Sequence, residues 1–157
     1  MKKYIGTKII EARPGTMAEA QAIKSNLPES MMKEIRETTE PDGYIVKYPD
    51  GYISWSPKEV FEEAYRECDN MTFGLALEAM KKGHKVARKG WNGKGMFLYL
   101  VPANRYTALT DAAKQIAGED GKVEYGAYIA MKTAQGNVVP WLASQTDMLT
   151  EDWVIVE

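Results

Sequence analysis

The apolar and polar positions of the chain divide it into two stretches with different rhythms. The first opens with a strand-like run from Tyr4 to Ala12, closed by Arg13-Pro14-Gly15. Thr16 stands three residues before Glu19, the spacing of a capping box, and predicts a short helix to about Asn26. Leu27 to Thr39 is polar, Met-containing and weakly patterned, and reads as loop with a helical turn at most. Two β-rich runs, 43–48 and 52–55, flank Pro49-Asp50-Gly51, a turn sequence that predicts a hairpin. Ser56-Pro57-Lys58-Glu59 then reads as N-cap, N1 proline and capping acid. The helix it starts should bury Val60, Phe61, Ala64 and Tyr65.

A boundary falls near Cys68-Asp69-Asn70, which predicts a small module over 1–68 and a second over 71–157. Thr72 caps a second amphipathic helix with Phe73, Ala76, Leu77 and Met80 on one face and Gly83 as its stop. The remainder of the chain is mostly β in character. Strands are expected at 85–89 and 96–101, around the loop Gly90-Trp91-Asn92-Gly93-Lys94-Gly95. Residues 107–117 have helical composition and end at Gly118. Strands at 123–133 and 137–142 should pair across Ala134-Gln135-Gly136, with 153–156 closing the sheet. The expected class is α+β: a strand-helix-hairpin-helix module, then a helix packed on a mainly antiparallel sheet.

Composition narrows the classes. The chain has 157 residues, 45% apolar and 27% charged, enough to build a core. One cysteine excludes a disulfide scaffold, and one histidine with one cysteine cannot supply a His/Cys metal cluster. No apolar run reaches the roughly 18 residues of a membrane helix, and the start has no apolar stretch behind its lysines, so a soluble protein is expected. No serine sits in a Gly-x-Ser-x-Gly elbow and no Walker-type loop is present. No catalytic residue, metal or cofactor is expected.

Charge adds a local signal to a net of −2. Between Glu78 and Asp111 no acid occurs, while Lys81, Lys82, Lys85, Arg88, Lys89, Lys94 and Arg105 do. Such a window suits an anionic ligand, and it is also what a solvated basic face looks like. Trp91 and Asn92 stand among glycines; Trp141 precedes Leu142-Ala143-Ser144-Gln145-Thr146-Asp147. A flat ring beside amides and a carboxylate suits a nucleobase, stacked on its face and hydrogen-bonded at its edge. The competing reading places both rings in the core, as it does Trp55 and Trp153, and makes Ser144 and Asp147 a capped turn. Together the signals favour a small anionic nucleotide. A long nucleic acid fits a net-acidic chain poorly.

Residues 71–157 resemble the second Thoeris anti-defence family of phage proteins. The motifs are Met-Thr-Phe-Gly at 71–74, Val-Ala-Arg-Lys-Gly-Trp-Asn-Gly at 86–93, Val-Pro-Trp-Leu-Ala-Ser-Gln-Thr-Asp-Met-Leu at 139–149 and Glu-Asp-Trp at 151–153. Residues 1–66 resemble a small module found beside this domain in phage proteins. The resemblance implies a non-enzymatic sponge for the cyclic ADP-ribose isomer made by TIR immune enzymes, acting in the cytoplasm of the infected bacterium. It further implies a homotetramer and, in some members, separate sites for cyclic di- or trinucleotides. Oligomerisation also suits a module with three tryptophans, more aromatic surface than a small core hides. The family's ligand contacts fall on Trp91, Asn92, Trp141 and Asp147. Ser144, Gln145 and Thr146 lie in the same segment, and the charge argument adds Arg88, Lys89 and Lys94 for the pyrophosphate. Two other classes stay open: a phosphodiesterase-like enzyme that degrades the messenger, and a structural or regulatory phage protein.

Overall fold

A computed structural model describes residues 1–3 and 5–157, which fold as two compact units, 1–66 and 67–157. The first unit is a three-stranded antiparallel sheet carrying helices. Strand β1 (Glu11–Gly15) lies on the edge beside β2 (Gly43–Lys47), which pairs with β3 (Ile53–Pro57). The strand expected over 4–12 therefore begins only at Glu11 and runs through the Arg13-Pro14-Gly15 that was to close it; Tyr4 lies outside the described residues. An edge strand tolerates Pro14, because its missing N–H faces away from the ladder. Gly43 is obligatory where β2 meets β3, since a Cβ there would run into the Ser56 carbonyl oxygen and lie 2.7 Å from the Trp55 ring. The hairpin turns at Gly51 (φ +84°), as its Pro-Asp-Gly predicts.

Helix α1 (Met17–Lys24) starts where expected, with the Thr16 side chain accepting from the Glu19 N–H. Residues 29–38 are helix α2 (Glu29–Thr38), not loop. Good helix formers, the Lys33–Glu37 pair and the Arg36–Glu29 pair stabilise it, while only Met32 and Ile35 turn partly inward. Helix α3 (Lys58–Ala64) begins one residue late: Ser56 belongs to β3, and Pro57 occupies the N-cap without a side-chain bond. Of its four expected inward residues, Phe61 and Tyr65 are half-buried, but Val60 and Ala64 are exposed. Phe61 stacks between Tyr44 (4.2 Å) and Tyr65 (4.8 Å), so the contact is aromatic stacking rather than a helical apolar stripe.

The second unit packs α4 (Phe73–Lys81), capped by Thr72 and stopped at Gly83 (φ +91°), on an antiparallel sheet. Its strands are β4 (Lys85–Arg88), β5 (Phe97–Val101), β8 (Tyr128–Lys132), β9 (Val138–Pro140) and β10 (Trp153–Val156), in the order β10-β4-β5-β8-β9. Met71, Ala76, Ala79, Met80, Val86, Leu98 and Trp153 make the core. The α+β class and the helix on an antiparallel sheet are as expected.

Two expectations for the middle of this unit are corrected. The strand expected over 123–133 is two strands, β7 (Lys122–Tyr125) and β8, separated at Gly126-Ala127. β7 leaves the sheet to pair with β6 (Asn104–Thr107) as a ribbon. Helical structure expected over 107–117 shrinks to one turn, α5 (Asp111–Lys114), because Leu109 and Ile116 face solvent and give no apolar face to bury.

Candidate ligand-binding site

The site is built on Trp153. This residue is fully buried at the start of β10, and its indole N–H donates to the Asp147 carbonyl at 2.9 Å. Trp91, in the loop after β4, meets it edge-on at 5.5 Å, and Trp141, just after β9, meets it at 6.1 Å. Phe73 at the start of α4 closes the cluster at 5.4 Å from Trp153. Trp91 and Trp141, fifty positions apart in the chain, thus come within 6.4 Å of each other at 64°. Both remain partly exposed. Trp91 is therefore not a ring without local packing, as its Gly-rich setting suggested; one edge rests on the core.

This geometry is a corner, not a slot. A ring sandwiched between two plates needs them parallel and about 7 Å apart, twice the usual carbon–carbon contact distance. Two indoles at 64° and 6.4 Å instead offer one face for stacking and one wall beside it.

An acid–arginine lattice borders the corner. Arg88, at the end of β4, donates from Nη1 to Asp147 Oδ1 (2.8 Å), from Nε to Asp152 Oδ1 (2.9 Å) and from Nη2 to Asp152 Oδ2 (3.3 Å). Asp147 sits in helix α6 (Gln145–Leu149) and closes a capping box with Ser144. Its Oδ2 accepts from the Ser144 N–H (3.0 Å) and hydroxyl (2.6 Å), and its own N–H donates to Ser144 Oγ (3.1 Å). Burial works against the Asp147 charge, but the bonds from Ser144 and Arg88 outweigh it and hold the carboxyl below its ordinary range. Arg88 acts more strongly on Asp152, which is lowered to about 2 with help from Thr150 and the Gly90 N–H. The guanidinium is correspondingly held more firmly charged.

The remaining candidates are scattered around this lattice. Gln145 and Thr146 are exposed on the first turn of α6, and Asn92 is exposed next to Trp91. Lys89 reaches Asn70 (2.9 Å) and Asp69 (3.3 Å). Lys94 is exposed with no ion pair among the described residues. The acid-free window is not acid-free in space: Lys81 meets Glu78, Arg88 meets Asp147 and Asp152, Lys89 meets Asp69, and Arg105 meets Asp120 and Glu124. The local positive field read from the sequence is thereby reduced, since four of the window's seven cations meet carboxylates from outside it. The sequence reading places Phe73 on a buried helix face and Asp152 in the Glu-Asp-Trp motif without giving either a place in the site, and it does not single out Thr150. For Asp152 the signal was an acid directly before a buried tryptophan, and it has no spacing rule attached.

A small α+β module with a loop-borne tryptophan corner, and with no described helix long and apolar enough to cross a membrane, is the class these features define. The chain belongs to the Thoeris anti-defense 2-like family: residues 71–156 match the Thoeris anti-defense 2-like domain. It is similar to "Thoeris anti-defense 2" of Bacillus phage SP01, with 42% identity over 86 residues spanning 55% of this chain and 94% of that relative. The family is named for phage antagonism of Thoeris defence. Every candidate site residue lies inside the matched range; residues 1–66 lie outside it.

Proposed function

We propose that the protein binds a cyclic ADP-ribose isomer made by TIR immune enzymes and withholds it, uncleaved, from its effector in the cytoplasm of the infected cell. Membership of the anti-defence family carries this reading. The corner supplies its chemistry. Adenine stacks on one of the two indoles while the other walls the ribose, and stacking contributes about 1–3 kcal/mol per base. Asp147 offers a ribose hydroxyl the capacity left over after Ser144 and Arg88. A carboxylate has about four lone-pair sites, and these partners use three. Asn92 donates to and accepts from the base edge. Lys94, aided by Lys89 and the spare N–H groups of Arg88, neutralises the pyrophosphate, and Gln145 and Thr146 line the α6 side. The proposal extends to cyclic di- or trinucleotides as further ligands.

Sequestration needs tight binding and slow release, not bond-breaking. The reading includes a homotetramer, supported by exposed Leu142, Leu149 and Val138 around β9 and α6. A monomer mass in light scattering at micromolar concentration overturns that part. For the function itself, the purified chain is incubated with glycocyclic ADP-ribose, freed of unbound ligand and denatured. Release of intact ligand is expected. Altered ligand would make the protein an enzyme, and no retained ligand would make it a structural or regulatory protein.

A further inference from the structure

We infer that Asp152 is a positioning residue for the ligand wall formed by Trp91: it fixes the 88–90 turn from which that ring projects. Three consecutive residues are tied to it. The Arg88 guanidinium donates to both carboxylate oxygens, the Lys89 N–H donates to the Asp152 carbonyl (3.0 Å), and the Gly90 N–H donates to Oδ2 (3.0 Å). The Thr150 hydroxyl, at 2.8 Å from Oδ1, aims the carboxylate from the other side. Four donors, Arg88 Nε and Nη2, the Gly90 N–H and the Thr150 hydroxyl, thus converge on one carboxylate.

Gly90 reports the same constraint independently. Its φ is not in the left-handed region, so backbone conformation does not require glycine there. The constraint is steric and falls on the carboxylate: a Cβ on residue 90 would sit 2.9 Å from Asp152 Oδ2 and 3.6 Å from Arg88 Nη2, so the Asp152 side chain would have to shift. The glycine lets the carboxylate reach the backbone immediately before Trp91. The Trp91 N–H then completes the turn by donating to the Arg88 carbonyl (3.3 Å).

Through Arg88 the same lattice reaches the second ring. The guanidinium joins Asp152 to Asp147, whose capping box holds the segment that comes after Trp141. One cation and two carboxylates therefore link the segments that carry the two indoles, in addition to the contact both rings make with Trp153. A one-ångström error in such a wall is enough to weaken binding strongly, because stacking depends on contact distance.

The inference rests on Trp91 being a ligand wall, and the experiment separates the two. Asp152→Asn, Gly90→Ala and Trp91→Ala are made in the full chain; near-ultraviolet circular dichroism reports how the indoles sit against one another, and calorimetric titration with glycocyclic ADP-ribose reports affinity. Asn at 152 keeps one acceptor but loses the charge that holds Arg88. Ala at 90 leaves Asp152 in place and drives its carboxylate off the turn. Both should change the tryptophan dichroism while the far-ultraviolet spectrum stays native, and both should weaken binding at least tenfold. Native dichroism with affinity within twofold of wild type in both variants overturns the positioning role. Altered dichroism with unchanged affinity, together with unchanged affinity in Trp91→Ala, upholds the positioning and overturns the ligand-wall reading.

Discussion

In residues 1–66 one acid is held by two arginines, whereas in residues 67–157 one arginine is held by two acids. Glu19, 3% exposed on α1, receives Arg13 from β1 and Arg36 from α2, and the Arg13 bond first, against the cost of burial, keeps its carboxyl below the ordinary range. Arg88 receives Asp147 from α6 and Asp152 from the turn before β10. The first clamp ties a strand and two helices, all scaffold. The second ties loops that carry half-exposed tryptophans. The arrangements also differ in what happens when the centre is lost. Arg13 and Arg36, 47% and 40% exposed, are free to turn to water, but Asp147 and Asp152, at 13% and 27%, are left as neighbouring carboxylates with little solvent. An ion network's importance is set by the exposure of the partners it would strand.

The most damaging change should strike what both rings lean on. Trp153→Ala removes a fully buried ring and its bond to the Asp147 carbonyl. The expected loss is about 3–5 kcal/mol, a fall in melting temperature of more than about 12 °C for a domain of this size. Differential scanning calorimetry on the full chain checks it. A loss no larger than that of Trp91→Ala would show that the cluster has no buried keystone.

The two clamps are compared directly by removing their centres. Arg88→Met should cost about 3 kcal/mol, the lower end for stranding partly buried charges, and Glu19→Gln about 1 kcal/mol, both by urea denaturation. Equal costs would break the contrast drawn from exposure.

Acid sharpens it further. The ordinary carboxylate pKa of Asp152 is lowered to about 2 in the folded protein. A depressed folded pKa means stability that is present above the unfolded value near 4 and lost as pH falls toward 2. The fold should therefore lose roughly 2 kcal/mol over that window, with Asp147 and Glu19 adding in the same direction. Stability measured from pH 5 to pH 2 should fall less steeply in Arg88→Met than in wild type. Parallel curves would place the acid sensitivity outside the Arg88 lattice.

How much of the molecule is legible in the sequence depends on how local its determinants are. The helix over 73–81 has its cap, stripe and stop within a dozen residues, and the 43–57 hairpin carries its turn chemistry in Pro49-Asp50-Gly51; both are legible. Helix α2 is not, because Met32 and Ile35 alone make too thin a stripe to show periodicity. The β6–β7 ribbon escapes for a related reason: of its strand residues only Val123 is buried, so no alternation marks it. At the site, the residue types are visible and their roles are not. The carboxylates that quench the basic window come from as far away as Asp147 and Asp152, and nothing in the spacing of Trp91 and Trp141 says that both lie on Trp153. Charge and aromatic signals are summed along a chain, but the fold pairs them in space.

The smallest expected effect tests the corrected picture of α3. If that helix were held by an apolar stripe, Val60 and Phe61 would both matter. Val60 is 57% exposed, while Phe61 lies stacked against Tyr44 and Tyr65. Phe61→Ala should cost at least about 1 kcal/mol, since each aromatic pair contributes about 0.5–1.5 kcal/mol beyond the area it buries. Val60→Ser should stay within about 0.5 kcal/mol of wild type, as surface changes do. Paired urea titrations on the full chain measure both. The result bears on the comparison of the two units because α3 is held by stacked, half-buried rings, whereas Phe73, Trp91 and Trp141 of the other unit gather around a buried indole. A Val60→Ser loss equal to that of Phe61→Ala would mean that α3 docks through a stripe after all, and that the first unit has more apolar core than Ala20, Ala22, Ile45 and Val46 provide.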